Sequence, residues 1–491
     1  MASVSLSSPS VQAYNKGIVS CGRSQLSSCS FAFESGFFGT KFPTGPLSLS
    51  TRKTRRTRPE SVETYCSSTL SASTQTFDVV IIGAGIIGLT IARQFLIGSD
   101  LSVAVVDKAV PCSGATGAGQ GYIWKIHKTP GSDTWELNMR SHELWEKFAE
   151  SIQDQGLNPL EVLGWKKTGS LLVGRTPEES AMLKRRVEQL SNAGLKAEYL
   201  SSHDLLLEEP AVMVGEEGGA AFLPNDSQLD AQRTVAFIEK ANREFVAKGR
   251  YADFYSDPVT CLLRSGSGGE VEGVQTSKRT LYCKKALVMA AGSWSGSLMH
   301  DLLRESDAIL DVPVKPRKGH LLVLENFNSL KLNHGLMEVG YVGHQENATS
   351  ATKLTDNGQA LSVSMTATMD SVGNLVLGSS RQFAGFSTEV DDSIIGYIWK
   401  RVAGFFPQLK EVSLTDFAVR RKVRIGLRPY MPDGKPMIGP VPGLSNVFIA
   451  TGHEGCGLSM ALGTAEMVAD MVLGNPGNVD YAPFVVQGRS C

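Results

Sequence analysis

Twenty residues, "FDVVIIGAGIIGLTIARQFL" from Phe77 to Leu96, limit what this chain can fold into more than any other stretch. A continuous apolar run stops at three glycines and resumes with helical composition, so the segment reads as buried strand, tight turn and helix. "LSVAVVDK" then supplies a second buried strand. Gly83 permits the turn, Gly85 lets a diphosphate approach the backbone, and Gly88 lets helix and strand pack closely. The helix N-terminus presents unpaired amides and a positive dipole to the phosphates. Asp107 stands 19 residues after Gly88, at the end of the second strand, where a carboxylate can hold ribose hydroxyls. The four features together imply a dinucleotide-binding βαβ unit.

The design recurs. "KKALVMAAGSWSG" is an apolar strand entering a turn of small residues, and "NVFIATGHEGCGLSMALGTAEMVADMVLG" is strand, Thr-Gly turn and helix. Between them, alternating segments such as "KGHLLVLE", "LSVSMTAT" and "NLVLGSS" predict a mostly antiparallel sheet with one open face. Leu144, Phe148 and Ile152 follow helical spacing, and Asp230 caps a helix that ends at Gly249. A chain of 491 residues exceeds one core. The expected class is α/β: a discontinuous Rossmann-like nucleotide domain over 77–133, 206–311 and 426–485, with an inserted β-sheet-plus-helix substrate domain over 134–205 and 312–425. Residues 1–70 are basic, rich in Ser and Thr and nearly free of acid, as an organellar transit peptide is. Plastid is the expected address, mitochondrion the alternative.

The near-zero net charge of −1 provides no basic face for nucleic acid. Eight cysteines without a C-x-x-C pair imply neither a disulfide framework nor a metal site. The longest apolar run, Val79 to Ala92, has 14 residues, too few for a membrane span.

Two further stretches carry chemistry. "SGATGAGQGYIW", Ser113 to Trp124, is a second small-residue loop that backbone amides and Thr116 could use against a phosphate. "RIGLRPYMPDGKPMIGP" places one arginine, Arg428, against Pro429 in a loop-like setting. Together with "VVIIGAGIIGLTIA", "ALVMAAGSWS" and "ATGHEGCGLSMALGT", these blocks resemble the FAD-dependent D-amino acid oxidase (DAO) superfamily. The likeness is greatest to its glycine oxidase, D-amino acid dehydrogenase and D-hydroxyproline dehydrogenase branch, in a plant organellar member.

The resemblance implies bound, non-covalent FAD. Ile86 and Ile87 would lie over the diphosphate, Asp107 and Lys108 at the ribose, and Ala115 and Thr116 at a phosphate. Gln120, Gly121 and Tyr122 would approach the ring, and Val259 the adenine. Ala291 and Gly292 would close the turn after the third strand. Gly452 and the run His453, Glu454, Gly455, Cys456, Gly457, Leu458 and Ser459 would wrap the pyrimidine end of the flavin. Arg428 would bind a substrate carboxylate, for which a planar guanidinium is suited. Glycine oxidases carry a second arginine where this chain has Gly455, and Gly426 stands near where sarcosine-oxidase relatives attach flavin through cysteine. A bulkier or cyclic amine and a non-covalent flavin follow.

Among the remaining polar residues, His453 is expected to order its loop, Glu454 to cap the last helix and Cys456 to fill space. Arg381, Tyr341 and His344 could line the pocket from the β-domain, but a solvated face is the expectation for each. The implied activity is oxidation of a C–N bond in a small amino acid or secondary amine, with oxygen, a quinone or a protein as electron acceptor. Oxidation of a 2-hydroxy acid and a flavin-bound assembly role are the alternatives.

Overall fold

The opening apolar run forms the strand Ser73–Ile82, buried throughout its last four residues. The chain turns at Gly83, whose amide donates to Val106 O at 2.8 Å, and enters the helix Ile86–Gly98. In this computed structural model the described residues are 73–265, 270–303, 312–327, 329–342, 353–354 and 360–489. The expected addressing segment 1–70 and His344 lie outside them.

Five parallel strands make the centre of the first sheet, in the order Tyr251–Phe254, Val103–Val106, Ser73–Ile82, Arg279–Met289 and Val447–Thr451. Met437–Pro440 adds an antiparallel edge, and the hairpin Val259–Arg264/Val271–Thr276 pairs with the first half of Arg279–Met289. Val103–Val106 is buried at every position, as a strand covered on both faces must be. Asp230 accepts from the amides of Gln232 and Arg233, both at 3.0 Å, and so starts the helix Ala231–Arg243. Such a cap is worth about 1 kcal/mol. The helix stops at Arg243; a 3-10 turn then leads to Gly249, at φ +67.

The last helix, Gly457–Leu473, lies against Ile86–Gly98 and against Trp135–Asp154. Trp145 Nε1 donates to Leu458 O at 2.9 Å, and Ser141 Oγ accepts from the Gly463 amide at 3.1 Å. By length and composition the stretch Glu454–Leu473 is apolar enough to cross a membrane. Here Leu458, Met460, Ala461, Ala465, Met467 and Val468 are buried in the core it shares with the first sheet.

The second sheet runs in the order Arg421–Tyr430, Lys315–Leu324, Leu375–Arg381, Ala360–Met369, Gly335–Glu338, Ser170–Gly174, Gly219–Leu223 and Glu198–Ser201. One pairing is parallel, Gly335–Glu338 with Ser170–Gly174; the other named pairings are antiparallel. Its face is not open, contrary to the alternation. Leu361, Met365 and Ala367 pack under the helix Asp392–Ala403, while Ser364, Thr366 and Thr368 on the opposite side are also buried. Small hydroxyl side chains alternating with apolar ones look solvated in a sequence, but here they line the contact with the rest of the molecule. Sheet membership also departs from the expected boundaries. Gly219–Leu223 and Arg421–Tyr430 belong to the second sheet, because each finds its hydrogen-bonding partner there. Both sheets lie in one compact unit.

Buried Asp226 ties the two parts together. It accepts from the amides of Lys125 and Ile126 and from Ser170 Oγ, and burial pushes its carboxyl up to about 6. The short strand Tyr122–Ile123, which pairs with Ser227–Gln228, is anchored beside it.

Candidate active site

Where the first sheet meets the second, a cavity of about 630 Å³ opens. Its near wall is the glycine turn. Gly83 has φ +120, and a Cβ there would lie 2.3 Å from Ala290 O. A Cβ on Gly88 would lie 1.9 Å from Gly83 O, so helix and turn approach in a way only glycine permits. The helix Ile86–Gly98 has no side-chain cap and no acid in its first turn, and Ile86 and Ile87 line the cavity. The last helix is likewise uncapped, and Gly457 and Leu458 line the same cavity. Two helix N-termini that receive no cap from their own N-cap residues and line one cavity fit a group that carries a diphosphate and an electron-rich ring.

Most of the residues expected at the cofactor line this cavity: Gly83, Gly85, Ile86, Ile87, Asp107, Lys108, Ala115, Thr116, Gln120, Gly121, Tyr122 and Val259 do so. Ala291, Gly292, His453, Glu454, Gly455, Gly457, Leu458 and Arg428 complete the set. Gly88, Gly452, Cys456 and Ser459 are not on its wall. Gly452 shapes the turn instead: at φ +81, a Cβ there would lie 2.4 Å from Met431 Cγ.

Several side chains hold positions that their sequence neighbourhood does not reveal. Asp107 accepts from the amides of Ala84 and Ala109, both at 2.7 Å, so it orders the turn with lone pairs left for a ribose. Thr116 Oγ1 accepts from the Ile86 amide at 3.2 Å. Gln120 is tied to the second sheet, where its Oε1 accepts from Tyr122 Oη at 2.6 Å and from Thr366 Oγ1 at 2.9 Å. Lys108 Nζ lies 4.0 Å from the centre of the Trp294 ring. Cys456 does more than fill space, since its Sγ lies 2.8 Å from Nζ of the buried Lys128. His453 is buried with Nε2 at 2.9 Å from Thr464 Oγ1, and burial pushes it down to about 3, so it is neutral.

Arg428 reaches the cavity from the strand Arg421–Tyr430. Its Nη1 donates to Ser380 O at 3.0 Å. The guanidinium crosses Gly319 on the neighbouring strand, where a Cβ would lie 2.2 Å from Nη1. Antiparallel register sets Arg317 directly opposite Arg428.

Three expectations are corrected here. Arg381 is 1% exposed and Tyr341 is 6% exposed, so neither is on a solvated face. The Arg381 guanidinium lies 4.0 Å from the centre of the Tyr341 ring, a cation–π contact. Glu454, at φ +46, does not cap the last helix; its carboxylate lies 3.6 Å from Arg317 Nη1 and accepts from the Gly455 amide. Burial alone would raise its carboxyl, but Arg428, Arg381 and Arg317 outweigh it and hold the group below its usual value. Arg317 and Gly319 escaped sequence reading because their meaning arises across strands.

The family of FAD-dependent oxidoreductases known as DAO matches residues 78–471. This chain belongs to that family and is an FAD-dependent oxidoreductase. It is 23% identical to hydrogen cyanide synthase subunit HcnC of Pseudomonas aeruginosa, over 84% of this chain and 96% of that protein. It is 24% identical to glycine oxidase of the same organism, over 84% and 99%. Among solved structures, glycine oxidase of Geobacillus kaustophilus matches with a TM-score of 0.67 at 22% identity, over 84% and 99% of the two chains. L-proline dehydrogenase of P. horikoshii matches with a TM-score of 0.67 at 21% identity, over 84% and 98%.

Proposed function

We propose that this protein oxidises the C–N bond of a small amino acid or secondary amine. The observation that carries the reading is Arg428, a guanidinium held over Gly319 and fastened to Ser380 O on the wall of the cavity that both helix N-termini line. A carboxylate taken by that fork would be held in two parallel hydrogen bonds. Its α-carbon would then be oriented toward the cofactor cavity, which is catalysis by positioning. FAD held by the two helix N-termini and Asp107 would supply the two-electron acceptor for the Cα hydride, and the imine so produced would be hydrolysed by water. Relatives named as glycine oxidase and L-proline dehydrogenase support an amine substrate.

A 2-hydroxy acid would need a base for its hydroxyl proton, whereas a neutral amine needs none. The ionisable candidates near Arg428 are poor bases. His453 is neutral, but it faces Thr464 and titrates near 3. Glu454 is held ionised by three arginines. The amine reading is therefore preferred.

The test is anaerobic reduction of the flavin by D- and L-amino acids, sarcosine, glycine, pipecolate and hydroxyproline isomers. Reduction by at least one of them is expected, and Arg428→Met should weaken that substrate by roughly a hundredfold, since hydrogen bonds to charged groups are worth about 1.5–3 kcal/mol each. Reduction by 2-hydroxy acids alone would overturn the reading.

A further inference from the structure

Lys128 is 6% exposed, and among the described residues its ammonium meets no carboxylate; its hydrogen-bond partner there is Cys456 Sγ, at 2.8 Å. Sulfur is a weak acceptor, so this contact returns little of the cost of taking an ammonium out of water. The pairing is nonetheless fixed from both sides. The Lys128 amide donates to Lys125 O at 2.9 Å, and its carbonyl accepts from Arg186 Nη1 at 3.0 Å. The Cys456 amide donates to His453 O at 2.8 Å, and its carbonyl accepts from Ser459 Oγ at 3.0 Å. Two backbones anchored in this way hold nitrogen against sulfur, although the residues stand 328 positions apart in the chain.

The other described cysteines face backbone carbonyls. Cys112 Sγ lies 3.7 Å from Ala231 O, buried Cys283 Sγ lies 3.4 Å from Val271 O, and exposed Cys261 Sγ lies 3.3 Å from Leu262 O. Cys456 differs from them: it is half-buried, and its sulfur touches an amine. The partners of a condensation are thus already in contact, which makes the bond-forming step intramolecular.

We propose that Lys128 and Cys456 form a reversible covalent cross-link, a sulfenamide, when the protein meets hydrogen peroxide. Peroxide oxidises the Cys456 thiol to a sulfenic acid: an S–O bond forms, the O–O bond breaks and one water leaves. The Lys128 ammonium releases a proton to solvent, and its nitrogen lone pair then attacks sulfur. The S–N bond forms as the S–O bond breaks, and the leaving oxygen takes a second proton from nitrogen and departs as water. Two equivalents of a small thiol reverse the reaction, restoring thiol and amine and ending as a disulfide.

The bond staples two walls of the cofactor cavity. Cys456 stands between Gly455 and Gly457, and Lys128 lies shortly after Gln120, Gly121 and Tyr122, all five of which line that cavity. Joining the two segments holds FAD in place, whichever bond of the substrate the enzyme oxidises.

The test uses the FAD-loaded protein, reduced, freed of thiol, exposed to hydrogen peroxide, then digested and read by mass spectrometry. The expected product is a peptide pair joined through Lys128 and Cys456, lighter than the two free peptides by two hydrogens and separated by dithiothreitol. Cys456 recovered only as thiol or sulfinic acid, at a peroxide dose that oxidises exposed Cys261, overturns the proposal, and this reading needs no variant. In Lys128→Gln the joined pair should vanish, and dimedone, which traps sulfenic acids, should label Cys456. A Cys456 cross-link that survives in the variant overturns the assignment of the amine. Peroxide should also slow FAD release from wild type by about tenfold or more, because a cross-link closing a long loop disfavours the opened form, and leave release from Lys128→Gln unchanged. An unchanged release rate in cross-linked protein overturns the stapling of the cavity.

Discussion

Gly319→Ala isolates the geometry on which carboxylate binding depends. The added methyl would lie 2.2 Å from Arg428 Nη1 and 2.6 Å from both Cζ and Nη2. An ordinary contact begins at 3.4 Å, so the guanidinium must retreat by roughly 1 Å, a misplacement that can lower a rate about a hundredfold. The 3.0 Å hydrogen bond to Ser380 O, which orients the fork, would be lost with it. A hydrogen bond to a charged group is worth about 1.5–3 kcal/mol, so the Kd of propionate, a redox-inert carboxylate, should rise roughly 10- to 100-fold. The fold should be spared. Gly319 does not have a positive φ, and alanine suits a strand interior better than glycine does, so the melting temperature should stay within about 2 °C. The assay is spectral titration of the FAD-loaded protein with propionate, alongside thermal melting and flavin content. A Kd within twofold of wild type in a protein with normal flavin content would show that Arg428 does not read the carboxylate from this position.

Gly88→Ala should yield a protein that purifies with little or no flavin, because its Cβ would meet Gly83 O at 1.9 Å; a normal flavin absorbance would refute this role of the close approach. His453 titrates near 3 in the fold and near 6.5 when unfolded, so its neutral form stabilises the protein fully above pH 6.5 and loses that contribution as pH falls toward 3. Relative to His453→Gln, wild type should therefore lose about 1.4 kcal/mol of stability per pH unit between pH 6 and 4, measured by denaturant unfolding. Parallel pH dependences in the two proteins would contradict a buried neutral imidazole. A fusion of residues 1–70 to a fluorescent protein should enter plastids in a plant cell, and cytosolic retention would remove the proposed addressing role.

Local order in the chain settled much about this protein. The glycine turn between Ile82 and Ile86, the acid at Asp107 and the cap at Asp230 act within a few residues or one βαβ unit, so their spacing alone announces them. Arg428 was legible for a related reason, as part of a contiguous motif. Tertiary structure decided the charge around it. Arg317, Arg381 and Arg428 lie on three neighbouring strands that are far apart in the chain, and only hydrogen-bond register brings them to one face. Gly319 carried no signal, because its meaning is the guanidinium lying across it. Glu454 looked like a helix cap and became the counter-charge of an arginine cluster. Periodicity tells which face a residue takes on its own strand, but not which strand lies beside it; that depends on long-range pairing, which the whole fold selects at once.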